Sequence, residues 1–203
     1  TIVLPVNIFI IAIGLLTGVG AASIVSRSLG KGEKEKSIVA GGDSIVINVI
    51  LTVITVIPIY IYSEKILGFL GASAEVLPYA RDYLNIMLLG FVFLSFSING
   101  TILIRAEGKP RASMYEMIIG AFLNIILDYF FIVVFGWGVQ GAAIATVISH
   151  IATTVYILAF FKSRGSIFDL KLRMFKINKS ISREILSIGT PSFLMEIIGC
   201  VMF

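Results

Sequence analysis

Residues 124–150, NIILDYFFIVVFGWGVQGAAIATVISH, contain two apolar runs separated by the tripeptide GWG. Together with the apolar residues on either side, each run is long enough to cross a bilayer, which takes about 20 apolar residues. The short turn predicts that the two helices are antiparallel neighbours. One carboxylate, Asp128, interrupts the first run. An aspartate at mid-helix costs about 2.5–3.5 kcal/mol on insertion, whereas a leucine contributes only about 0.3–0.6 kcal/mol, so Asp128 indicates a function rather than a gain in stability.

The composition around this stretch is that of an integral membrane protein. Hydrophobic residues make up 58% of the chain and charged residues 14%, and the mean hydropathy is +1.01, whereas a soluble domain is about half apolar. We therefore predict an all-α membrane protein. Five complete spans are expected at residues 3–26, 38–62, 76–104, 112–135 and 139–161, and a sixth begins near residue 188. Because the chain begins without Met and ends inside that sixth span, we expect it to be a piece of a longer protein.

The sequence pI of about 9.2 reflects topology rather than a nucleic-acid partner. Nearly all of the 16 lysines and arginines lie in the first, third and fifth loops, while the second loop and the GWG turn carry almost none. This alternation is typical of the positive-inside rule. We therefore expect a multi-pass protein of the plasma membrane with its basic loops in the cytoplasm, and no nucleic-acid partner.

Asp128 is the leading candidate for an ion carrier. Asn124 precedes it by four residues and therefore lies on the same helical face. Burial in a bilayer favours the neutral carboxyl, so such a group can take up and release a proton in each cycle. The alternative is that Asp128 only forms a hydrogen bond across the helix bundle.

The other titratable groups carry weaker signals. Asp43 and Glu116 lie close to the cytoplasmic ends of their spans, where we expect solvation or snorkelling. His150 is the only histidine and Cys200 the only cysteine, so neither a metal cluster nor a disulfide is expected. An enzyme would need a second convergent titratable group, and only His150 is available. We expect neither an enzyme nor a cofactor.

The quoted stretch, preceded by INGTILIRAEGKPRASMY and followed by a long basic linker into IGTPSFLMEI, resembles the multidrug and toxic compound extrusion (MATE) transporters. The resemblance covers essentially the whole chain. It implies helices two to six and the start of helix seven of a twelve-helix protein with two six-helix lobes. The implied domains are residues 1–161 in the N-terminal bundle, residues 162–187 as a basic amphipathic linker on the cytoplasmic side, and residues 188–203 as the start of the second lobe.

The family likeness also implies a function and a set of site residues. Members export drugs or organic cations in exchange for protons or sodium. The polar site of the N-terminal lobe would comprise Asp128, Asn124, Thr146, Tyr83 and, less directly, Asn99, with sodium possible at the first three. Glu196 shares a helical face with the position of a second-lobe glutamate, which is Gly199 here. Substrate, bilayer and the remainder of its own chain are the implied partners, and the family's first-helix acid lies outside this sequence.

Two other functions remain open from the sequence. A lipid-linked saccharide flippase of the same superfamily would more naturally carry a lysine or arginine at mid-span to hold a pyrophosphate, and no span here has one. A membrane subunit without transport activity is the second alternative.

Overall fold

The computed structural model describes residues 2–163, 165–168 and 177–201, and every regular element within these ranges is helical. The helices in chain order are α1 (Leu4–Gly30), α2 (Lys34–Ile61), α3 (Ser63–Phe69), α4 (Leu77–Ala106), α5 (Pro110–Asp128), a π segment (Tyr129–Val134), α6 (Gly138–Lys162) and α7 (Lys179–Val201).

The predicted all-α membrane fold and its five spans are confirmed. Five helices are long and apolar enough to cross a membrane, with α5 and the π segment counted as one. The helix that contains the start of the predicted sixth span, α7, begins earlier in the sequence, at Lys179. Hydrophobicity indicates only the part of a helix that lies in the bilayer, and the first turns of α7 are polar. The helix begins after Asn178, whose side-chain oxygen accepts the Ser180 N–H at 3.1 Å and so caps the N-terminus. The predicted linker is therefore partly helical, and its residues 164 and 169–176 lie outside the described part of the chain.

Helix α1 packs against α2, α4 and α7. Gly14 and Gly18 face α4 across a gap without room for a side chain. A Cβ atom on Gly14 would lie 2.9 Å from the Ile98 Cβ, and one on Gly18 would lie 3.2 Å from the Asn99 Cα. Small residues four apart are the usual means by which membrane helices approach closely, so these two glycines determine the α1–α4 separation.

The contact between α1 and α7 is closer still. A Cβ atom on Gly189 of α7 would lie 1.8 Å from the backbone oxygen of Leu16, and one on Gly20 of α1 would lie 2.1 Å from the backbone oxygen of Ile185. Each helix therefore places a glycine against the backbone of the other. Any larger residue at Gly189 or Gly20 must push α1 and α7 apart.

Aromatic side chains pack the π segment against the start of α6. The Phe131 and Trp137 rings stack with centroids 5.2 Å apart, and Gly136 and Gly138 of the GWG turn adopt positive φ angles of 69° and 54°, which favour glycine. The π segment begins directly after Asp128. π-helical turns occur frequently at functional sites. The position of this π segment is therefore consistent with a functional role for Asp128.

Candidate functional site

A cavity of about 510 Å³ lies between α4, α5 and α6, with Leu15 of α1 at one wall. Asn124 of α5 and Thr146 of α6, both predicted site residues, line it together. Its other polar or charged lining residues are Ser97, Thr101, Arg105, Glu116, Ser149, His150 and Thr153. An apolar cavity with a few convergent polar groups is the usual form of a small-molecule site.

Asp128 lies outside the lining of this cavity. Its side chain is half-buried at the last residue of α5, and its Oδ1 atom is buried without a hydrogen-bond partner among the described residues. The Thr146 hydroxyl donates to the backbone oxygen of Ala142 at 2.9 Å instead. Direct hydrogen bonds from Asn124, Thr146 or Tyr83 to Asp128 are therefore not formed in this structure. An orphaned buried carboxylate oxygen calls for an ion, a proton or a polar ligand as partner.

Tyr83 is close enough to Asp128 for the two side chains to interact electrostatically. It lines a second cavity of about 540 Å³ near the ends of α1, α4 and α6, together with Asn7 and Val139. The Oδ1 atom of Asn7 is likewise buried without a partner within the described ranges. The predicted site is thus divided, since Asn124 and Thr146 line one cavity and Tyr83 lines another.

Asn99 belongs to a separate set of fully buried polar side chains at the junction of α1, α2 and α4. Its amide donates to the Thr17 hydroxyl at 2.8 Å and to the Ser44 hydroxyl at 3.0 Å. The Asn48 amide donates to Thr17 at 3.0 Å and to the Ser95 hydroxyl at 2.8 Å. We refer to Thr17, Ser44, Asn48, Ser95 and Asn99 as the polar cluster.

Sequence reasoning identified only Asn99 of this cluster. Residue spacing could have predicted the cluster. Two polar side chains four residues apart share a helical face, as do Ser44 and Asn48 on α2, and Ser95 and Asn99 on α4. Buried polar pairs at this spacing commonly form hydrogen bonds between membrane helices. The Oδ1 atom of Asn48 has no partner among the described residues, so the cluster is not fully satisfied.

The expectation that Asp43 and Glu116 are solvated is wrong. Asp43 is fully buried, and its carboxylate accepts the backbone N–H of Asn178 and the hydroxyl of Ser182, each at 3.0 Å. Both partners lie at the start of α7, where the partial positive charge of a helix N-terminus favours an anion. Proximity to a helix end in the sequence does not reveal that α7 covers this part of α2.

Glu116 is only 5% exposed and accepts a hydrogen bond from the Thr101 hydroxyl at 2.6 Å. His150, which is half-buried, lines the same cavity. Glu196 is half-buried on α7 and does not line this cavity. Glu116 is therefore the carboxylate that faces the cavity shared by Asn124 and Thr146, a role that sequence reasoning had not assigned.

Comparisons with known proteins agree with this architecture. The MatE family profile matches residues 1–130. The chain is 35% identical over 200 residues to the multidrug export protein MepA of Staphylococcus aureus strain NCTC 8325, an alignment that covers 98% of this chain and 44% of MepA. The chain thus spans less than half the length of this relative.

Solved structures give the same result. An inward-facing conformation of a multidrug resistance MATE family transporter of the MOP superfamily matches with a TM-score of 0.92 and 31% identity over 98% of this chain and 46% of the other. An outward-facing conformation of such a transporter matches with a TM-score of 0.88 and 32% identity over 95% of this chain and 43% of the other. Sequence, helix arrangement and these matches agree, and the chain belongs to the MatE family.

Proposed function

We propose that the protein to which this chain belongs exports drugs or other organic cations across the plasma membrane, in exchange for protons or sodium ions. Its relatives support the proposal, since MepA is named a multidrug export protein and the matched structures are of multidrug resistance transporters. In this proposal the basic loops are cytoplasmic, and the exchange proceeds by alternating access.

The observation that carries the proposal is the state of Asp128. Its carboxylate lies in a helix that is apolar enough to cross a membrane, and its Oδ1 atom is buried without a partner in the described part of the chain. Ionisable residues inside the membrane are costly and usually mark an ion pathway. Asp128 is therefore the coupling carboxylate in our proposal.

Either ion is compatible with the residues around Asp128. A proton needs only the carboxylate itself. Sodium needs several oxygen ligands, which the side chains of Asn124 and Thr146 and backbone carbonyls can supply after a local rearrangement. Because Asn124 and Thr146 line the 510 Å³ cavity, ion uptake at Asp128 would be transmitted to the cavity through these two residues.

One coupling ion can drive export through its concentration gradient. A one-for-one exchange of that ion for a monovalent organic cation moves no net charge, so the membrane potential, worth roughly 2.3 kcal/mol per elementary charge at about 100 mV, cancels. A tenfold gradient of the ion, about 1.4 kcal/mol, then sustains up to about a tenfold gradient of the substrate. In the proposed cycle, ion binding neutralises Asp128 and, through Asn124 and Thr146, lowers the affinity of the cavity for an organic cation, which leaves on the outer side. Release of the ion on the inner side restores the negative charge and the affinity for the next cation.

The proposal is tested with the full-length protein in proteoliposomes. Efflux of a fluorescent organic cation is followed under an imposed pH gradient and, separately, an imposed sodium gradient. Efflux should follow one of the gradients and be lost in Asp128→Asn. Asp82→Asn is the matched control, because Asp82 is exposed and accepts its hydrogen bond from Gln140, which an asparagine oxygen can still accept. Gradient-driven efflux that persists in Asp128→Asn would reject Asp128 as the carrier.

A further inference from the structure

The 510 Å³ cavity has a carboxylate that the proposed ion pathway does not use. Glu116 lines the cavity, is 5% exposed, and accepts one hydrogen bond from Thr101 at 2.6 Å. The hydroxyl bond holds the carboxylate in place but brings no counter-charge. Keeping a buried carboxylate ionised is costly without a cationic partner, so a cationic ligand would stabilise the ionised form of Glu116.

The basic group nearest to this site is Arg105, which also lines the cavity. Its guanidinium is directed to the Ser113 hydroxyl at 2.9 Å and to the Met117 sulfur at 3.1 Å. Arg105 is exposed, and no ion pair joins it to Glu116 within the described ranges. His150, the other titratable side chain on the cavity wall, brings no fixed positive charge. Neither residue therefore forms an ion pair with Glu116 in the ranges that the structure describes, and a cationic ligand in the cavity would favour the ionised carboxylate.

Glu116 and Asp128 are far apart on the same helix. Twelve residues at 1.5 Å each place them about 18 Å from each other along α5, and Glu116 and Asn124 are about 12 Å apart by the same measure. The cavity extends from Glu116 to Asn124, and its wall between these ends includes the apolar side chains of Ile98 and Ala121. This combination suits an elongated apolar molecule with one positively charged end.

We propose that the Glu116 end of this cavity binds the charged group of an amphipathic organic cation, with the apolar body of the cation lying toward Asn124, at a site about 18 Å from Asp128. The inference rests on the proposed function and adds to it a second carboxylate, used for ligand recognition and not for ion coupling. Asp128 and Glu116 thus have separable roles.

The test uses the full-length protein in detergent and a matched pair of dyes. One is a dimethylaminostyryl-N-methylpyridinium dye with a fixed positive charge, and the other is its unmethylated parent at a pH where the parent is uncharged. The dissociation constant of each dye is measured by fluorescence titration for wild type and Glu116→Gln. The amide keeps the size of the side chain and an oxygen that accepts the Thr101 hydroxyl, and a thermal melt verifies that the variant is folded.

The Glu116→Gln change should raise the dissociation constant of the cationic dye about tenfold, since tenfold corresponds to about 1.4 kcal/mol, close to the difference between a hydrogen bond to a charged group and a neutral one. The dissociation constant of the uncharged dye should stay nearly unchanged. Arg105→Gln should lower the dissociation constant of the cationic dye, since it removes a positive charge that repels the dye from the same cavity. Glu35→Gln is the control, because Glu35 is an exposed carboxylate on α2 and its loss changes the net charge equally.

Three results would overturn the inference: no binding of the cationic dye by the wild type, an unchanged dissociation constant in Glu116→Gln, or an equal change for both dyes. The proposed function fails in a different way. If Glu116→Gln binds the cationic dye normally while efflux still depends on Asp128, the second site is rejected and the antiport proposal stands. If dye binding depends on Glu116 but neither ion gradient drives efflux, the antiport proposal is rejected and the binding site stands.

Discussion

The polar cluster at the junction of α1, α2 and α4 predicts unequal effects of two alanine substitutions. Asn48 and Asn99 are both fully buried, and each donates two hydrogen bonds to side chains of other helices. Asn48→Ala and Asn99→Ala delete the same atoms from equally buried sites, so the cost of the resulting cavity is similar. The difference between the free energies of unfolding of the two variants therefore reflects the hydrogen bonds that each asparagine makes.

The magnitude follows from the contacts. A hydrogen bond between membrane helices contributes about 0.6 kcal/mol on average, so loss of the two donated bonds costs about 1.2 kcal/mol in each variant. Asn99→Ala also loses the bond that its Oδ1 atom accepts from the Ser44 hydroxyl at 3.2 Å. Asn48 carries an Oδ1 atom without a partner among the described residues, and an unsatisfied buried group costs about 1–3 kcal/mol. Asn48→Ala removes this cost together with the bonds. We expect Asn99→Ala to lower the free energy of unfolding by about 1 kcal/mol more than Asn48→Ala does.

The assay is reversible unfolding of the full-length protein by SDS in mixed micelles, with the free energy of unfolding extrapolated to zero SDS. Because Thr17 accepts from both asparagines, Thr17→Val combined with Asn99→Ala should deviate from additivity, as expected for residues in contact. Thr146→Val is the control partner, since the Thr146 hydroxyl bonds within α6 and should act additively. An Asn48→Ala variant that is as unstable as Asn99→Ala, or less stable, would refute the reasoning.

Two further predictions concern the contacts of α7. Gly189→Ala should lower the melting temperature of the full-length protein, because its Cβ would lie 1.8 Å from an α1 backbone oxygen, whereas Gly199→Ala should not, since nothing lies within 4 Å of that position. A normal melt for Gly189→Ala would contradict the close α1–α7 contact. Asp43→Asn should reduce the free energy of unfolding by about 0.3–2 kcal/mol through loss of an anion at the N-terminus of α7. Asp82→Asn is the control and should have a much smaller effect, because Asp82 is exposed and lies beyond the first turn of α4. Equal effects of these two variants would argue against the cap.

The helical fold and its five spans could be predicted from the sequence because hydrophobicity and span length are local properties. The start of α7 was missed although its cap is local, since Asn178 bonds to Ser180 only two positions away. The contact of Asn178 with Asp43 joins residues 135 positions apart and could not be predicted. Apolarity marks the bilayer-embedded part of a helix and says nothing about its polar first turns.

The parts of the candidate site that depend on local spacing could be predicted, and those that depend on contacts between helices could not. Asn124 and Asp128 share a helical face by their spacing, and the family likeness added Thr146. Packing determines which of these side chains reach a common cavity, and it directs Glu116 rather than Asp128 toward that cavity. The burial of Glu116 depends on Thr101 of α4, a tertiary contact that a residue count from the helix end cannot reveal.

The central claim is that ion binding at Asp128 and binding of an organic cation in the 510 Å³ cavity oppose each other. It is tested most directly by adding a saturating organic cation to the purified full-length protein and measuring ion release, with a pH indicator in weak buffer for protons and with radioactive sodium for Na⁺. The account predicts release of one of the two ions by wild type and by Asp82→Asn, and none by Asp128→Asn. Release that is undiminished in Asp128→Asn, or no release of either ion from the wild type, would contradict it.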